Sequence, residues 1–170
     1  KDVKTEAKEE VFDPQIAHKD AHIESKFNEL TMLFKGGYQV VFRVYNDGVA
    51  YRFIDNYKNS KQVYDETMTL KFHEGTNTYF PQEESMYSHN ERIYLHKPLN
   101  EVAANDFCSL PVLFESNKAK VLFTEASLHD YPGMFLKSTK LGVLEADFPK
   151  YVLSARANEK DSPDRNQILE

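Results

Sequence analysis

The chain has 170 residues, a length for one domain or slightly more, and enough to bury a core without disulfides or metals. Twelve Phe, ten Tyr and an apolar content of 41% exclude disorder for the bulk of it. With 21 Lys and Arg against 27 Asp and Glu, the net charge is -6; nucleic acid and anionic membrane are poor partners for such a chain, and no apolar stretch approaches the roughly 18 residues of a spanning helix.

In chain order, seven of the first ten residues are charged, and no apolar core of a signal peptide is present. Residues 1–26 show no readable periodicity and form a poorly defined N-terminal segment. His18 and His22, four apart, would share a helix face, but no Glu follows His18 as zinc-protease chemistry requires, so the pair reads as solvated or structural. Phe27–Phe34 reads as a strand, with helix as the competitor because Phe27, Leu30 and Phe34 also fit helical spacing. Gly36-Gly37 closes it; the pair lacks the spacing of a phosphate-binding loop and reads as a turn.

The strongest local signal follows. Alternation over Tyr38–Tyr45 puts Tyr38, Val40, Phe42 and Val44 on one face and Gln39, Val41, Arg43 and Tyr45 on the other. Val49–Ile54 alternates likewise, and Asp47-Gly48 between the two runs predicts a hairpin in which Gly48 takes a positive φ. Lys58–Lys61 is a polar, exposed loop. Met68, Leu70 and Phe72 mark a half-buried strand within Tyr64–Phe72, and Thr76–Phe80 a short one stopped by Pro81. Pro98–Ala104 can make one helical turn or two. Cys108 has no partner for a disulfide or a Cys-based zinc site and reads as a small buried hydrophobe. A second hairpin, with weaker turn chemistry, is expected from Leu110–Glu115 through Ser116–Ala119 to Lys120–Glu125. Many short strands, closely spaced turns and hardly a helix predict an all-β fold, an antiparallel sandwich.

Chemistry is sparse. The remaining histidines, His73, His89, His96 and His129, are scattered; Ser88–Glu91 resembles no nucleophile motif, and no Gly-x-Ser-x-Gly occurs. Thr124–Leu136 stands apart from the sandwich pattern. Glu125 follows the apolar run Val121–Phe123, and Asp130–Gly133 then makes a tight turn. A surface acid before a turn is the plainer reading of Glu125. A carboxylate is also a hard ligand suited to calcium, but one or two are too few, so any metal needs ligands from elsewhere.

These residues resemble a known family. Thr124–Leu136 is similar to a motif of the amino-terminal domain of glycoside hydrolase family 97, and Gly37–Phe53 resembles that domain's other signature: an Arg-bearing strand, an Asp-Gly turn and an Ala-Tyr-Arg-Phe strand. Leu110–Phe114 precedes the second motif, and the likeness is specific over residues 27–57 and 109–136. The resemblance implies a galactose-mutarotase-like β-supersandwich over residues 27–151, with 152–170 a polar tail or link towards a catalytic barrel. It also implies a multi-domain, calcium-dependent α-glucosidase or α-galactosidase, of the periplasm or outer membrane, whose amino-terminal domain lends one glutamate to the calcium ion. The matching residue here is Glu125.

A (β/α)8 barrel needs about 250 residues, and nothing after Leu136 resembles βα units, so this chain reads as a cloned or truncated piece without the catalytic carboxylates. By itself it is expected to be inactive and, with a barrel-facing surface exposed, to self-associate. Its partners would be the barrel of the same polypeptide and, in the parent enzyme, an oligosaccharide. The alternatives are an autonomous carbohydrate-binding module, against which stands the absence of Trp, and a purely structural β-sandwich.

Overall fold

The structure, a computed structural model, describes residues 2–17, 19–59 and 61–151, together with the backbone of 154–157 and 166–169. His18 therefore lies outside the described residues. Among the described residues every strand pairing is antiparallel, and the regular structure is all strand apart from one 3-10 turn at Leu99–Glu101. It divides into two compact units, Lys1–Gln62 and Val63–Glu170.

The first unit is a meander of β1 (Asp2–Phe12), β2 (Ile23–Leu33), β3 (Tyr38–Val44) and β4 (Val49–Asp55), in that spatial order. Register sets Val3 opposite Met32, Leu30 opposite Phe42, Phe42 opposite Tyr51 and Val40 opposite Phe53, so one face is a continuous apolar field. The reverse face carries the charged residues of β1 beside the buried Phe27 and Val41. Glu29 there accepts from Lys8 and, at 2.9 Å, from Arg43 Nε, while the Arg43 guanidinium sits 4.2 Å over the Phe27 ring. Strand, not helix, thus holds for Phe27–Phe34. β1 occupies the segment without readable periodicity because its residues Lys4, Glu6, Lys8 and Glu10 pair by charge rather than by apolar burial.

The turns divide differently from expectation. Gly37 has φ +79° and donates its N–H to Phe34 O at 3.1 Å, the left-handed position that an L side chain resists. The β3–β4 hairpin forms, but Gly48 is not at positive φ. Val44 pairs with Val49, which leaves a four-residue loop closed by Tyr45 N–H donating to Gly48 O at 2.8 Å. Loops of four residues are usually built on type I geometry and make no demand for a left-handed glycine there.

The second unit is a sandwich. One sheet has the order β11 (Lys120–Phe123), β10 (Val112–Glu115), β6 (Asn77–Phe80), β8 (Leu95–Pro98). The other has the order β5 (Thr69–Lys71), β13 (Val143–Asp147), β12 (Phe135–Lys140), β9 (Phe107–Cys108), β7 (Gln82–Glu83). Phe80, Val112 and Phe114 from the first meet Cys108, Leu136 and Leu144 from the second in one buried cluster. Phe72 stacks on Phe114 with ring centroids 4.1 Å apart, which carries the Met68, Leu70, Phe72 alternation into that core. Pro81 lies where the chain leaves one sheet for the other, a place where its missing N–H costs no ladder bond. Of the expected polar tail, β14 (Ser154–Ala157) and β15 (Asn166–Leu169) pair with each other, and the residues between them lie outside the described set.

Candidate functional site

The segment from Thr124 to Met134 joins β11 to β12 without regular structure. Glu125 stands two residues past the end of β11, half-buried, and its Oε2 accepts the backbone N–H of Met134 at 2.9 Å. Its Oε1 has no hydrogen-bond partner among the described residues. Burial pushes the Glu125 carboxyl above its ordinary range; the Met134 N–H opposes this, and the neighbouring Glu66 carboxylate adds to it. A cation at this place would reverse the balance, because it compensates both the lost hydration and the like charge.

Two non-glycine residues of the segment, Ser127 at φ +56° and Asp130 at φ +50°, adopt left-handed backbone. Each such residue costs on the order of 1 kcal/mol or more, and persists only where the surroundings hold it. Tyr131 ties the segment to two other parts of the fold. Its hydroxyl donates to Glu66 Oε2 at 2.8 Å and its ring meets Phe148 edge-on at 6.0 Å. Glu66 and Tyr131 are 65 residues apart in sequence, so no local spacing could have announced the pair.

Calcium takes about six to eight oxygen ligands, far more than one carboxylate supplies. Among the described residues no group of three or more His, Cys, Asp or Glu could hold a metal. The residues therefore fit a single donated ligand and not a complete site. The other candidates disperse. His22 Nδ1 meets Asp13 Oδ1 at 2.6 Å on the exposed surface, His96 stacks on Tyr79 at 4.3 Å, and His89 Nδ1 accepts Glu91 N–H at 3.1 Å. Cys108 is fully buried, and burial pushes its thiol up to about 12, so it behaves as the small hydrophobe its sequence context indicates. Two open cavities of about 260 Å³ share His73, Glu74 and Gly75, and neither reaches Glu125.

The most enclosed polar cluster was not expected from the sequence. Glu83, at the end of β7, accepts from Ser109 Oγ at 2.9 Å, Ser88 Oγ at 2.7 Å and Arg92 Nε at 2.8 Å. The cluster ties the loop after β7 to the sandwich.

The model of the glycosyl-hydrolase 97 N-terminal family matches residues 1–166. The chain is similar to a retaining alpha-galactosidase of Bacteroides thetaiotaomicron, at 26% identity over 160 residues. That alignment covers 86% of this chain and 24% of the relative, so the chain spans about a quarter of the relative's length.

Proposed function

The chain belongs to the glycosyl-hydrolase 97 N-terminal family, and from that premise we propose that it is the amino-terminal accessory domain of a calcium-dependent α-glycosidase, to whose ion it contributes Glu125. The name of the relative favours terminal α-linked galactose over glucose as the sugar, and net retention over inversion at the anomeric carbon. Both catalytic carboxylates belong on a (β/α)8 barrel of the same polypeptide, and the oligosaccharide is bound there. This chain alone then has no hydrolytic activity. A periplasmic or outer-membrane-associated location goes with the same reading.

The observation that supports the proposal is the state of Glu125: half-buried, held through one oxygen by the Met134 N–H, with burial raising its carboxyl above the ordinary range, and with no hydrogen-bond partner for its second oxygen among the described residues. A bound calcium ion supplies positive charge that orients substrate oxygens and stabilises charge developing at the leaving group. The part of this chain is to present one oxygen in a fixed place, and the Met134 N–H does that by holding the other. Glu125→Ala in the intact native polypeptide should weaken calcium at least about tenfold, the lower range for losing even an outer-shell partner, with an unchanged far-ultraviolet circular dichroism spectrum. Calorimetric titration reads it. Unaltered calcium affinity and turnover would sink the ligand assignment.

A further inference from the structure

The segment that carries Glu125 has an unusual support. Among the described residues, Thr124 to Met134 makes no backbone-to-backbone hydrogen bond with another part of the chain, and two of its non-glycine residues are left-handed. Side-chain contacts help to hold it. Tyr131 makes two of the contacts, and both reach outside the segment: its hydroxyl to Glu66, which precedes β5, and its ring to Phe148, which follows β13. Three residues further on comes Met134, whose N–H is the donor to Glu125 Oε2. Pro132, whose ring fixes its φ, and Gly133 lie between them, and a Cβ at Gly133 would stand 3.9 Å from Glu125 Oε2.

We propose that Tyr131 and Glu66 are positioning residues for Glu125: the Tyr131 hydroxyl, seated on the Glu66 carboxylate, anchors the turn whose Met134 N–H holds the Glu125 carboxylate in place. The metal-binding consequence rests on the reading of Glu125 given above; the anchoring does not. Tyr131 and Glu66 touch no ion in this scheme and act through Met134 and Glu125.

Three variants of the intact native polypeptide test it. Tyr131→Phe removes the hydroxyl and keeps the ring against Phe148. Glu66→Ala removes the acceptor, and Glu66→Gln keeps an oxygen that can still accept. Amide hydrogen exchange in the peptide spanning Met134 should rise about fivefold in Tyr131→Phe and Glu66→Ala, the equivalent of one net hydrogen bond. Glu66→Gln should exchange like the parent, a rescue that a merely electrostatic role of Glu66 would not give. Calcium affinity, titrated with the metal alone, should fall about fivefold in the first two variants and hold in the third. Unchanged exchange in Tyr131→Phe overturns the anchor whatever calcium does. Faster exchange with unchanged calcium affinity, where Glu125→Ala does weaken calcium, overturns the positioning role. If Glu125→Ala itself leaves calcium untouched, the metal reading falls and the exchange rates alone decide the anchor.

Discussion

Two glutamates of the second unit show how surroundings decide what an acid is for. Burial pushes the Glu83 carboxyl up, but the hydrogen bonds from Ser88, Arg92 and Ser109, with the Arg92 charge, more than offset this and hold it below its ordinary range. Glu125 has one donor and a like-charged neighbour, and its carboxyl is held above that range. The surroundings favour the charged form of the first and disfavour that of the second. For Glu83 the pH dependence follows from the sign. A native value depressed below the ordinary carboxylate value of 4.5 contributes stability that is fully present above about that pH and is lost as the pH falls through the lower native value. Glu83→Gln should therefore cost about 3 kcal/mol at pH 7, since it breaks a buried pair and leaves Arg92 with no anion. The difference from the parent should shrink below pH 4.5. Urea unfolding at several pH values, with the slope m unchanged, checks both statements; a difference independent of pH would show that the charge of Glu83 is not what matters.

Among the elements, what the sequence made legible was whatever repeats every second residue. The two hairpins, the Met68 to Phe72 alternation and the single turn after Pro98 all appear where the pattern placed them. β1 was not legible because its ladder is supported by cross-strand charges, which leave no apolar alternation to read. β7 and β9, at two residues each, are too short to have a period, and the Glu83 cluster that ties β7 to its surroundings joins residues distant in sequence. The candidate site divides the same way. Glu125 could be picked out at the end of an apolar strand, whereas Glu66 becomes its neighbour only through the fold. The turns carry a sharper test, since an Asp-Gly pair is a property of residue type and the loop length is a property of register. Gly37→Ala should destabilise by about 1–2 kcal/mol, because the residue is left-handed and an added Cβ would come within 3.1 Å of the Tyr57 ring. Gly48→Ala should be close to neutral, with no atom within 4 Å of its Cβ and no positive φ. Thermal midpoints of the two variants decide; equal losses would mean that the β3–β4 turn is the tight one after all.

For the molecule as a whole, the family match over residues 1–166 takes in both compact units, so the charged first strand is as much a part of the family domain as the sandwich. Both units also expose apolar groups on edge strands. β4, at one edge of the first sheet, leaves Val49 67% and Phe53 53% exposed; β11, at an edge of the sandwich, leaves Leu122 60% exposed. Natural edges are usually blunted by charge or covered, and here Arg52 and Lys120 lie beside the exposed groups without masking them. Where the rest of a longer polypeptide is lacking, such edges should meet each other. The chain is expected to associate reversibly, more strongly in sulfate than in chloride, because the contact is apolar rather than ionic. Burying one valine or phenylalanine across a contact contributes about 1.5–3 kcal/mol, so the Val49→Lys and Phe53→Lys pair should raise the midpoint concentration of association by more than about tenfold. Light scattering over a concentration series reads this directly. A monodisperse monomer throughout, unaffected by sulfate, would mean that the exposed edges are tolerated as they stand and that no partner surface is needed to cover them.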